Sequence, residues 1–236
     1  MIQFYAPEIE TTLTLPAEES LHCSRVLRKK QGDTIFVTDG KGNCFECEVQ
    51  NPDPRATTVQ ILKKETRGNH WHPRIVLAVA PTKNIDRMSW MVEKAVEIGV
   101  DEIIFLDCRR NERHKLSTER LKRVAVAAMK QSLKSTLPRL SDLTTLKDFV
   151  KTAPAGEKVF GYCDEESDKV NFTTIYKPEK DVTILIGPEG DFAPEEVELL
   201  KNSGFTPVTF GNARLRTETA AIFGLNAFHV INSMKS

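Results

Sequence analysis

The sequence carries no excess of either charge. Its 33 Lys and Arg are matched by 33 Asp and Glu, so bulk charge advertises no polyanionic partner, and any nucleic-acid recognition must come from local clusters. No apolar run approaches the length of a membrane span. The opening residues, MIQFYAPEIE, lack the basic-then-apolar pattern of a secretory signal. A soluble, cytoplasmic protein without a membrane role is therefore expected. Cysteine is sparse and odd in number, five in 236 residues, which does not suit a disulfide framework. Cys44-x-x-Cys47 has no second pair to complete a metal site, and in a strand its two thiols point to opposite faces. His70 and His72 flank Trp71 with no cluster of Cys or carboxylate beside them, so no metal is expected. The Gly-x-Gly-x-x-Gly fingerprint, the Gly-x-x-x-x-Gly-Lys-Ser/Thr loop and the Gly-x-Ser-x-Gly elbow are all missing. A phosphate-centred site is thereby disfavoured.

What is present is a chain that is 40% apolar and 28% charged, long enough for one large domain or two small ones. Residues 1 to about 70 read as β-rich. A strand over Thr34–Thr38, a turn at Asp39-Gly40-Lys41-Gly42 and a strand over Cys44–Val49 form a hairpin signal, and another strand starts near Thr57. ETRGNHWHPR breaks the pattern and marks a boundary. From residue 73 to 236 strands alternate with helices. RIVLAVA, EIIFLDC, KVFGYC, VTILIG and PVTFG read as strands. NIDRMSWMVEKAVEIGV, STERLKRVAVAAMKQSL, APEEVELLKNSGF and TETAAIFGLNAFHVINS read as helices. That order implies an α/β fold with a mainly parallel sheet.

Two of the strands end in glycine. TILIGPEGDF runs without alternation, as a strand buried on both faces does, into Gly187, Pro188, Glu189 and Gly190. VTFGNARLRTETA reaches Phe210 and Gly211, then a polar loop, then a helix from about Thr217. Ligands of open parallel sheets sit beyond the carboxyl ends of the strands, so the two loops are candidate walls of one pocket. A nucleoside without phosphate, held by backbone groups, fits such walls. Two basic runs stand out. RVLRKK holds Arg25, Arg28 and Lys29 without an acid, and CRRNERHK holds Arg109, Arg110 and Arg113 just after a strand. Both have the composition of phosphate-contacting patches.

The pair ILIGPEGD and TFGNARLRTETA resembles the hallmark pair of the SPOUT methyltransferases of the ribosomal-RNA small-subunit methyltransferase E family. HCSRVLR (His22–Arg28) is similar to that family's N-terminal motif, and MVEKAVEIGV to its central helix. The resemblance spans nearly the whole chain. It implies an N-terminal PUA-like β-barrel over 1–70 that binds RNA, and an α/β domain over 73–236 with a deep trefoil knot. It also implies a homodimer and S-adenosylmethionine-dependent methylation of uridine N3 in small-subunit ribosomal RNA, within the assembled subunit. Asp191 stands where the family usually has a second glycine.

Candidate donor-binding residues are then Tyr162 and Cys163 at the end of KVFGYC, Ile186, Gly187, Pro188, Glu189 and Gly190 in the first loop, and Phe210, Gly211, Leu215, Arg216 and Thr217 in the second. His22, Arg25, Arg28, Lys29, Arg109, Arg110 and Arg113 are candidate RNA contacts. Methyl transfer from a sulfonium needs alignment more than activation. The uridine N3 proton must still be taken up, or the anionic base stabilised. Arg214 and Arg216 could supply positive charge to an oxyanion at O2 or O4. Glu218 or Glu97 could accept the proton, although an ion pair or helix-start role suits Glu218 nearly as well. Along the closing helix Ala220, Phe223, Gly224, Ala227, Phe228 and Ile231 form an apolar face that fits either the sheet or a second copy. Two other readings remain open: a non-catalytic RNA-binding protein, and a nucleotide- or NAD-dependent α/β enzyme.

Overall fold

A computed structural model describes residues 2–162 and 170–234. The chain divides into two compact units, 1–70 with 126–137, and 71–125 with 138–236.

In the first unit, β1 (Gln3–Tyr5), β2 (Thr34–Thr38), β3 (Asn43–Asn51) and β4 (Thr58–Thr66) pair in chain order. The β1–β2 pair is parallel and the other two are antiparallel. Between β1 and β2 lie two short helices, α1 (Ile9–Thr12) and α2 (Ala17–Leu21), the second continuing into a π-helical turn over His22–Val26. The expected hairpin forms about the Asp39–Gly42 turn, where the Asp39 carboxylate accepts from the N–H groups of Lys41 and Asn43. Phe4, Ile9, Ile35, Val37, Phe45, Cys47 and Val49 make one core. Residues 126–137 join this unit through specific bonds. Gln3 Nε2 donates to the Lys134 carbonyl at 2.9 Å, and Thr38 Oγ1 donates to that of Ser135 at 3.1 Å.

In the second unit the order is β5 (Ile75–Val79), α3 (Ile85–Ile98), β6 (Glu102–Asp107), α4 (Thr118–Gln131), β7 (Arg139–Thr145), α5 (Leu146–Thr152), β8 (Glu157–Gly161), β9 (Val170–Asn171), α6 (Phe172–Ile175), β10 (Val182–Ile186), α7 (Pro194–Asn202), β11 (Thr206–Thr209) and α8 (Thr217–Ser233). The sheet order is β7-β6-β5-β10-β8-β11-β9, and every pair in it is parallel. The central strands β5 and β10 are buried along their whole length, as their unbroken aliphatic sequences require. Side chains alternate across them. Val76, Ala78 and Leu185 face a cluster with Phe149 of α5 and with Val197 and Leu200 of α7. On the opposite face Ile184 meets α8, where the absent side chain of Gly224 leaves room for Ile184 Cδ1. Helices therefore cover both faces, and the carboxyl ends of the strands share one edge.

Candidate active site

That edge is set by register. Ile186 at the end of β10 pairs with Gly161 of β8, and Gly161 pairs with Val208 of β11. On the other side Ile186 pairs with Val79 of β5. The loops bearing Gly187 and Gly211 therefore leave from strands separated only by β8, and Tyr162, directly after β8, emerges between them. Cys163 lies outside the described residues.

The two glycine loops are tied together directly. Thr217, the first residue of α8, donates its hydroxyl to the Gly187 carbonyl at 3.1 Å in a buried bond. Phe210 closes the wall from beneath. Its ring sits where a Cβ on Gly161 would come within 3.1 Å and one on Gly224 within 3.3 Å, so small residues on β8 and α8 seat it. A Cβ on Gly187 would come within 3.0 Å of the Phe192 ring, itself fully buried. Gly211 is different: its φ of +119° disfavours any L side chain, while the space around it is open. That combination leaves Gly211 as the bare backbone face of the second loop. Ile186 and Pro188 are buried there, Leu215 and Tyr162 are half-buried, and Glu189, Gly190 and Gly211 are exposed.

The first loop is braced from outside. Pro188 accepts from the Asp191 N–H at 2.9 Å to close a turn. Asp191 takes φ +59°, so the loop forms with a non-glycine residue in the left-handed region. The Asp191 carboxylate accepts from the Phe192 N–H at 2.8 Å. Glu189 accepts from the Lys83 N–H at 3.1 Å. Beyond the loop, α7 starts with Pro194 in its first turn, and Glu196 accepts from the Ala193 N–H at 2.9 Å.

The charged candidates divide into three groups. Arg214 and Arg216 are exposed on the second loop, with Arg216 at the cap position of α8. Glu218 is buried, and its Oε1 lies 3.7 Å from Arg87 Nε on α3. This acid sits beside the edge as one half of an ion pair. Glu97 is not brought there. It occupies the last turn of α3, at the opposite end from the strand carboxyl termini, and pairs with Lys94 at 3.0 Å. Of the basic run after β6, Arg109 pairs with Glu195 at 2.8 Å, Arg110 bonds carbonyls of the first loop, and Arg113 donates to the Lys83 carbonyl at 2.8 Å. Glu195's own backbone N–H and then Arg109 hold its carboxyl below the usual range. In the other unit Arg25 and Arg28 are exposed, Lys29 Nζ donates to the Thr34 carbonyl at 3.3 Å, and the half-buried His22 ring lies against Phe4.

Sequence reading missed Lys83, Arg87 and Phe192. The signal for the first two was the strand RIVLAVA. As a neighbour of β10 in a parallel sheet, it delivers the following Pro81-Thr82-Lys83 segment and the start of α3 to the same edge.

Residues 70–229 match the model of the RNA methyltransferase domain, and residues 15–62 that of the RNA methyltransferase PUA domain. The chain belongs to the ribosomal RNA small subunit methyltransferase E family. Its relative of that name from Mesomycoplasma hyopneumoniae is 31% identical, over 78% of this chain and 84% of the relative. A crystal structure from Porphyromonas gingivalis, described as a probable rRNA-methyltransferase, is 40% identical with a TM-score of 0.95 and covers both chains fully. A Legionella pneumophila protein solved with the cofactor SAM bound is 28% identical with a TM-score of 0.85, over 99% of this chain and 98% of that one. In this methyltransferase the small N-terminal unit is the PUA-like domain, and the α/β unit with its all-parallel sheet carries the strand edge described above.

Proposed function

We propose that this methyltransferase moves a methyl group from S-adenosylmethionine to N3 of a uridine in small-subunit ribosomal RNA, acting in the cytoplasm as a homodimer. The observation that carries the reading is the buried Thr217–Gly187 bond. It locks the start of α8 onto the first loop, so GPEGD and NARLRT stand as two walls over the strand edge.

The residues suit the donor. Gly211 offers open backbone, Phe210, Leu215 and Tyr162 offer apolar surface for an adenine and a thioether arm, and no phosphate cradle is needed. When bound, S-adenosylmethionine supplies an activated methyl group. The chain's own task is to hold donor and uridine in line, which is the larger part of the catalysis. Arg216 and Arg214 are placed to stabilise negative charge on the uracil oxygens as the N3 proton leaves. Glu218, paired with Arg87, is suited to fixing the loop. In this reading it holds the second wall in place, and the departing proton goes to water or to the RNA environment.

The homodimer rests on what α8 leaves uncovered. Gly224, Ala227 and Phe228 are spent on the chain's own core, whereas Phe223 and Val230 of α8 and Trp90 of α3 are exposed.

Calorimetric titration tests the reading against its rivals. S-adenosylmethionine or its demethylated product should bind, and NAD and ATP should not. Binding of NAD or ATP in preference would assign the edge to another class of enzyme. Binding of none of the three would favour a purely RNA-binding role.

A further inference from the structure

We propose that Arg110 is a positioning residue for the methyl donor, holding the GPEGD loop in its binding shape, and that it does so because Asp191 occupies a position fitted for glycine. The inference rests on the reading of that loop as a donor wall. Three observations carry it.

First, Arg110 Nη1 donates to the carbonyls of Gly190 at 2.9 Å and of Phe192 at 3.3 Å. These carbonyls belong to the residues on either side of Asp191. Second, Asp191 has φ +59°, a region that costs an L residue energy and that glycine enters freely. The guanidinium thus bridges the strained residue, and hydrogen bonds from a charged donor are the stronger kind. Third, the arginine stem lies along the loop: a Cβ on Gly190 would stand 3.6 Å from Arg110 Cβ and 3.7 Å from its Cδ. A side chain placed in this way braces the loop, with Arg110 itself still exposed.

The base of the brace is itself anchored. Next to Arg110, the Arg109 N–H donates to Glu196 at 2.8 Å, and Asn111 Nδ2 donates to the Leu106 carbonyl at 2.9 Å. The segment after β6 is fixed to both β6 and α7, so the guanidinium acts from a rigid platform. The bond from the Lys83 N–H to Glu189 holds the opposite shoulder of the loop.

The test is a double-mutant cycle on the full chain, read by donor affinity, melting temperature and the salt dependence of RNA binding. Arg110→Ala should weaken S-adenosylmethionine binding about tenfold, the size expected for losing hydrogen bonds from a charged donor. The slope of RNA affinity against salt should not change, because no phosphate contact is lost. Asp191→Gly alone supplies the reference corner of the cycle. In combination, Asp191→Gly should return the Arg110→Ala variant to within about threefold of wild-type affinity, since glycine needs no brace. Arg110→Lys, which keeps the charge and one donor group, should fall between wild type and Ala, and it carries the test if the Ala variant does not fold. Wild-type donor affinity in Arg110→Ala would overturn the proposal. So would a flattened salt slope with donor affinity intact, which would make Arg110 an RNA contact. Strict additivity of the two substitutions would break the link to Asp191 and overturn it as well. Failure of the wild-type chain to bind the donor is a distinct result: it would overturn the reading of the loop and this inference with it.

Discussion

Arg216 stands at the cap of α8 with its neighbour Thr217 fastened to Gly187, so its backbone is fixed while its guanidinium remains exposed. That is the arrangement expected of a group that meets charge only as it develops. Arg216→Ala should lose roughly a hundredfold in single-turnover rate, the usual size for one stabilising donor. Donor affinity and melting temperature should change little, because the interaction belongs to the transition state. A parallel fall in donor binding and melting temperature would reassign Arg216 to clamping the loop. At the same scale, burial pushes the Cys47 thiol up to about 12. A raised value in the folded state means stability that is whole below the unfolded thiol's pKa near 9 and declines as pH rises from there toward 12. Native Cys47 should therefore resist alkylation at pH 8 while half-buried Cys44 reacts first, a sequence that mass spectrometry of the digested protein reads. The face difference of Cys44 and Cys47 was legible from strand alternation. The pairing of Glu218 with Arg87 was not, because it joins residues 131 positions apart and no local pattern encodes it.

Elements were legible where burial or capping leaves a mark on sequence. The strand at Thr34–Thr38, the helix beginning at Thr217 and the helix stopped by Gly99 stand where the pattern put them. Gly99 has φ +129°, and any Cβ there would come within 2.9 Å of the Trp71 ring, so its role goes beyond stopping a helix. β7 escaped notice for a physical reason. RLSDLTT lies at the sheet edge, only half-buried, and carries no continuous apolar run. β9 and the short helix after it are too brief to leave a period. The π-helical turn at His22–Val26 has no sequence signature at all, yet it sets Arg25 on an irregular turn, a feature frequent at functional sites. Arg28 follows with φ +52°. If this segment is the RNA-facing element, replacing Arg25, Arg28 and Lys29 together with Ala should weaken RNA binding and lower its logarithmic salt slope by about two units, with donor affinity unchanged. Filter binding across a salt series measures this, and an unaltered slope would mark the run as solvated surface.

At the scale of the whole molecule, the division into a β-rich unit and an α/β unit could be read from the change of rhythm near Pro73. The membership of residues 126–137 in the first unit could not, since that segment continues a helix of the second. Neutral overall charge likewise concealed how the basic runs are used. Side chains of the run after β6 bond Glu195, Gly190, Phe192 and Lys83, with Arg109 and Arg110 still exposed, as Arg25 and Arg28 are. The proposed function gives RNA capture to the first unit and methyl transfer to the strand edge of the second. Its most direct test is incubation of the full chain with labelled S-adenosylmethionine and small ribosomal subunits lacking the modification, followed by nuclease mapping of the product. The account predicts close to one methyl group per subunit, on N3 of a single uridine, lost with Arg216→Ala. Incorporation at another atom, or none in either assembled subunits or naked small-subunit RNA while the donor still binds, would contradict it.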